Sequence, residues 1–207
     1  MSKFLGIAGS LVLCASMAAP LQAALIAPVG VTASSWANLS GIDQRVPEAT
    51  IDGSGLTAGQ HTVFPYDPTG PETMWMSNNE ATPEITWDLG AVYLIDGFRL
   101  WNYNEATDPG RSVQFANVST ATSIGGPYTP LGLMNFLAAP LVSTYAGDDY
   151  TIPVTSARFI RFNVVDNYTT EENNTGLAEI RFNVVPEPTA LAALGLASLT
   201  MLRRRQR

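Results

Sequence analysis

The chain has 207 residues, 46% of them apolar and 14% charged, which is enough apolar material to fill a core and excludes disorder on compositional grounds. Its charge is uneven: Leu25 to Val185 holds six Arg, no Lys and seventeen Asp or Glu, a net charge of −11. A body this acidic repels phosphate backbones and carries no basic stripe, so nucleic acid is excluded as a partner.

Lys3 precedes the apolar run Phe4–Ala19, and small residues follow at Ala23 and Ala24. That order makes residues 1–24 a secretory signal peptide cut near Ala23 or Ala24. The only Cys, Cys14, lies in this run, so the body has no disulfide, thiolate metal site or Cys nucleophile. It also has a single His, His61, within the Gly-rich segment Gly53–Gly70, where an exposed loop position is expected.

Between the tails no stretch has sustained helical periodicity. Short alternating runs recur instead, bounded by Gly, Pro, Asn and Asp. Glu84–Leu89 puts Ile85, Trp87 and Leu89 on one face, and Gly90 is expected to end that strand. Ile95–Tyr103 opposes Phe98 and Leu100 to Arg99 and Trp101. Ser112–Ser119 follows, then Gly125-Gly126-Pro127 turns the chain toward Tyr128–Leu131. Arg158–Val165 and Glu179–Val185 are the last strands. They contain two copies of Ile-Arg-Phe-Asn-Val-Val, at 160–165 and 180–185, read as two similar strands rather than a duplication because their flanks differ. The pattern predicts an all-β, antiparallel sandwich over residues 25–185.

After Val185 come Pro186-Glu187-Pro188, fourteen mostly apolar residues, Thr189–Leu202, and the tail Arg203-Arg204-Arg205-Gln206-Arg207. As a helix the apolar stretch would span about 21 Å against a hydrocarbon core of about 30 Å. These three parts in this order resemble the PEP-CTERM sorting signal of Gram-negative bacteria. The resemblance implies transient insertion in the inner membrane, processing of residues 186–207 by an exosortase-type transpeptidase, and delivery to the cell envelope, surface or extracellular matrix.

The fragments of the body are similar, in order, to a discoidin (coagulation factor V/VIII C-type) domain. Thr32-Ala33-Ser34-Ser35 precedes Ile51-Asp52-Gly53. Thr73-Met74-Trp75-Met76-Ser77 leads to Ile85–Gly90 and Ile95–Leu100, and Ala157–Phe162 and Gly176–Phe182 come last. The resemblance implies a jelly-roll sandwich of the galactose-binding type, flanked here by hydrophobic targeting helices. It departs from the family in the long segment Ser54–Glu72 and in lacking Cys.

No catalytic constellation is evident. Asp148-Asp149 and Glu171-Glu172 are adjacent in sequence, so on a strand their side chains diverge, whereas glycoside hydrolysis needs two carboxyl groups aimed at one bond. Binding asks for aromatic rings beside hydrogen-bonding groups, because a sugar presents an apolar face edged by hydroxyls. Trp75, Trp87 and Trp101 are expected to pack in the core. Tyr103, Asn104, Asn167 and Tyr168, with His61, are the candidate ligand contacts. These features predict a non-catalytic module for a glycan or exopolysaccharide; the alternative is a structural envelope or matrix protein without a soluble ligand. The discoidin resemblance also implies a structural Ca²⁺ held by Asp52, Thr73 and Glu179. The alternative there is that Asp52 only closes its turn and Glu179 pairs with an Arg such as Arg181 or Arg158.

Overall fold

Alternation along two long strands builds the architecture. In the computed structural model, which describes residues 24–39, 44–63, 73–169 and 173–186, strand β6 runs Glu84–Asn102 and β9 runs Asp148–Asn167. Both cross from one layer of a sandwich to the other. The first half of β6 pairs on one side with β2 (Gly30–Ala33) and on the other with the second half of β9, Asp88 opposite Phe159. β7 (Val113–Ala121) and β8 (Thr129–Asn135) extend this layer. The second half of β6 pairs with the first half of β9 and with β10 (Gly176–Val184). β1 (Ala24–Ile26) and the short β5 (Trp75–Met76) both pair with β10. All these ladders are antiparallel, and a two-residue hairpin, β3 (Leu56–Thr57) with β4 (Gln60–His61), stands apart. The described residues contain no α-helix, only 3₁₀ turns at Pro47–Thr50 and Pro109–Arg111.

Gly90 does not end its strand as expected. It adopts φ +82°, a conformation costly for any residue with a Cβ, and its N–H is held by Asp88 Oδ1 at 2.7 Å. The ladder to β9 shifts register between Asp88 and Tyr93, and the alternation of buried and exposed residues lapses at Gly90–Val92. The strand therefore turns a corner and continues into the other layer.

Inward residues of both layers meet in one core. Trp87 lies edge-on to Phe162 at 4.9 Å within the first layer and tilted over Phe182 of the second at 6.3 Å. Phe98 contacts both phenylalanines, at 5.5 and 5.9 Å. The repeated hexapeptide explains this symmetry. Each copy buries its Ile and Phe between the layers and turns its Arg outward, Arg161 on one outer face and Arg181 on the other. The tryptophans expected to be structural are so: Trp75 and Trp87 are fully buried, and Trp101 nearly so.

A second apolar cluster covers Trp101 on the outer side of the second layer, built from Met74, Met76, Tyr103, Ala139, Tyr145 and Leu56 among others. The segment expected to carry targeting signals, residues 1–23 and 187–207, lies outside the described residues, as do Glu187, Pro188 and Glu171-Glu172; Pro186 closes the described chain after β10.

Candidate functional site

The residues expected to meet a ligand are mostly interior. Tyr103 and Asn104 have no exposed surface, because the chain after β6 runs beneath the 137–147 segment instead of projecting as a loop. The Tyr103 hydroxyl accepts a hydrogen bond from Arg45 Nη1 at 2.6 Å and donates to Glu105 Oε2. Glu105, also fully buried, is held by Arg45 and Arg111, each at 3.4 Å. Burial pushes the Tyr103 hydroxyl far above its ordinary pKa, so it remains a neutral donor. Asn104 Nδ2 donates to the carbonyls of Val142, at 3.1 Å, and His61, at 3.4 Å. Asn167 is also buried, its amide bonded to the Asn174 carbonyl and Thr175 Oγ1, so it shapes a turn. Only Tyr168 keeps an open face, at 38% exposure, and its hydroxyl is donated to the Phe136 carbonyl at 2.6 Å.

His61 is likewise buried rather than exposed, because β4 packs its backbone against the Tyr145 carbonyl. Neither ring nitrogen has a hydrogen-bond partner among the described residues. Burial lowers its pKa, opposed by the backbone polar groups of Thr73 and Thr62. The native protein thus resists a proton that the unfolded chain accepts near pH 6.5. Stability is full above that pH and is lost as pH falls toward the lower folded value. Tm is expected to drop between pH 7.5 and 5.5, and His61→Leu to flatten the drop; an equal slope in the variant rules this source out.

The corner expected to hold Ca²⁺ does bring Asp52 and Glu179 together. Asp52 Oδ1 accepts the Ser54 N–H at 2.7 Å, closing the turn, and Gly53 N–H donates to Glu179 Oε2 at 3.0 Å. The positive charge there is Arg181, which is ion-paired with the fully buried Glu179 and donates to the Ile51 carbonyl at 3.1 Å. Thr73 borders the same turn two residues further on: a Cβ on Gly55 would sit 3.0 Å from Thr73 Oγ1 and 2.6 Å from His61 Nε2. Arg158 does not reach Glu179; it pairs with Asp88 at 2.8 Å. A hard cation needs six to eight oxygens, and here the Arg181 guanidinium engages the Glu179 carboxylate, so the residues as placed do not fit the ion. The alternative of a closed turn and an Arg–Glu pair is what the corner contains.

The feature that sequence reasoning missed is a groove across the outer face of the first layer. Outward residues of successive strands line it: Thr32 on β2, Thr86 and Asp88 on β6, Arg161 and Asn163 on β9, Asn117 and Ser119 on β7. The connection between β7 and β8 folds over this face and sets Tyr128 in the middle. Gly126, at φ +89°, permits the fold, since a Cβ there would stand 3.0 Å from the Tyr128 ring. Tyr128 divides the groove into hollows of about 340 and 350 Å³ and lines both. The Arg161 guanidinium stacks 3.9 Å from its ring centre. Arg161 also donates to Thr86 Oγ1 at 3.1 Å and pairs with Glu84 at 3.2 Å. Below it, Arg158 grips Asp88 through two bonds of 2.8 and 2.9 Å and holds its carboxyl below the ordinary range. The signal available was the outward alternation of Thr86, Asp88 and Arg161; the partner across the groove, Tyr128, had none beyond the Gly-Gly-Pro turn before it.

No family model and no curated protein matches the chain. Solved structures do. A CBM32 module of AlyQ, in complex with 4,5-unsaturated mannuronic acid, is 22% identical with a TM-score of 0.52 over 77% of this chain and 97% of that one. A CBM32 module of a family 31 glycoside hydrolase from Clostridium perfringens is 16% identical, with a TM-score of 0.54 over 78% and 91% of the two chains. A fragment of a putative chitobiase from Bacteroides thetaiotaomicron is 17% identical, with a TM-score of 0.55 over 81% and 97%. This chain has the galactose-binding-like β-sandwich fold of carbohydrate-binding modules of the CBM32 type.

Proposed function

We propose that the protein is an exported, non-catalytic carbohydrate-binding module and that the groove around Tyr128 is its binding site. The observation that carries this reading is the ring of Tyr128 standing between two hollows whose walls combine apolar surface, Ile124 and Pro130 among it, with hydroxyl, amide and paired ionic groups. A sugar ring offers an apolar face and a rim of hydroxyls, the complement of that surface. The fold supports it: among the similar structures, one Clostridium perfringens CBM32 module is in complex with GalNAc-β-1,3-galactose. Export, exosortase processing and delivery to the envelope rest on the sequence of the two ends.

Tyr128→Ala is expected to weaken glycan binding at least about tenfold with little change in Tm, because the ring is only half-buried and holds no core contact. A glycan array followed by calorimetry on the purified protein measures this. Binding that survives Tyr128→Ala but is lost in Tyr168→Ala places the site at the loop end and overturns the groove. No binding to any glycan leaves the structural envelope role.

A further inference from the structure

We propose that the groove takes an internal stretch of a neutral, linear glycan, at least two consecutive sugar rings laid on either side of Tyr128. The inference rests on the glycan-binding reading above and adds the class of ligand. Length comes first. The lining runs from Thr32 on β2 to Pro130 on β8, across five adjacent strands, or roughly 19 Å at about 4.8 Å per strand. One sugar ring fills a fraction of that span. Each hollow alone reaches the lower end of the range for small-molecule pockets, about 300 Å³. The hollows share one aromatic wall and are both partly open to solvent, an arrangement that suits a chain passing through rather than a chain end held in a closed socket.

Charge decides the chemistry. Every Arg between Leu25 and Val185 is ion-paired: Arg45 and Arg111 with Glu105, Arg99 with Asp149, Arg158 with Asp88, Arg161 with Glu84 and Arg181 with Glu179. The same segment has no Lys and a net charge of −11. A uronate or sulfate ester entering the groove would meet the carboxylates of Asp88 and Glu84, with guanidiniums already shared with them, in a body whose net charge of −11 repels it. The polar atoms that remain on offer belong to Thr32, Asn117, Ser119 and Asn163, neutral groups that donate to and accept from hydroxyls. The mannuronic acid held by the similar AlyQ module is therefore the wrong class of sugar for this groove.

The test is affinity electrophoresis of the purified protein in gels containing neutral polymers (galactan, mannan, xylan, dextran) or anionic ones (alginate, polygalacturonate), at low and at physiological salt. Retardation by at least one neutral polymer and by neither anionic one is expected. Calorimetry on the retarding polymer's fragments should then show its tetrasaccharide binding at least about tenfold more tightly than its monosaccharide. Asn163→Ala and Thr32→Ala, in opposite hollows, should each weaken the tetrasaccharide and leave Tm unchanged. Stronger retardation by alginate or polygalacturonate overturns the inference while leaving the protein a glycan binder, and so does a monosaccharide that binds as tightly as the tetrasaccharide. Silence toward every polymer and glycan overturns the glycan-binding reading itself.

Discussion

Arg45→Met is expected to cost about 3 kcal/mol of folding stability, a fall in Tm of roughly 6–12 °C for a domain of this size. The side chains of Arg45 and Glu105 are both fully buried. Removing the guanidinium leaves the Glu105 carboxylate inside the protein with the Tyr103 hydroxyl and Arg111, and the loss of one charge from a buried set is far costlier than the set is worth when intact. The contrast is Arg99→Met. Its bidentate pair with Asp149 is short, 2.7 Å, but the partners are 34% and 58% exposed. Water solvates either charge when the other is removed, so that variant should lose less than about 1 kcal/mol. Thermal melts of the two variants decide between geometry and burial as the source of stability. Equal losses would show that the Arg45 cluster carries no special weight.

Arg181→Leu should likewise destabilise, by about 2–3 kcal/mol, because it strands Glu179 in a corner from which water is excluded. Burial lowers the Arg181 pKa and the charge of Asp52 opposes that, yet a guanidinium remains cationic at neutral pH. It therefore ties the Ile51–Gly53 turn to the last strand as a permanent cation. Two readouts separate this from an ion site. Wild-type Tm should be indifferent to EDTA and to added Ca²⁺, since a ligand that does not bind the native state adds no stability. Adding Glu179→Gln to Arg181→Leu should restore much of the loss, because it removes the stranded charge. A Ca²⁺-dependent rise in wild-type Tm that Glu179→Gln abolishes would return the corner to the metal.

The strands were legible where alternation is local. Ile85, Trp87 and Leu89 share one face by spacing alone, as do Phe98 and Leu100, and all are buried in the one core. Gly90 was misread because a glycine after an alternating run marks a stop and a corner equally well. Whether the chain ends its ladder there or bends depends on β9 bending with it, about seventy residues away. The candidate site was legible only in half. Thr86, Asp88 and Arg161 face outward by the same alternation, whereas Tyr128 reaches them through a fold of the β7–β8 connection.

What the sequence by itself determined is everything carried by short-range pattern and by counting: the all-β class, the inward face of each strand, the acidic body, and, within Leu25–Val185, a stock of six Arg with no Lys. The period of a strand is two and the drive to bury apolar side chains is non-directional, so neighbours in the chain suffice to say which side is apolar. Tertiary structure decided which outward residues stay outward. Tyr103, Asn104, His61 and Glu179 carry polar groups and sit in runs that read as loop or strand surface, yet each is covered by a segment distant in the chain. The contacts that cover or hold them join His61 to Asn104 across 43 residues, Tyr103 to Arg45 across 58 and Glu179 to Gly53 across 126. A buried polar group is tolerable only where such partners arrive, and no local pattern encodes the arrival.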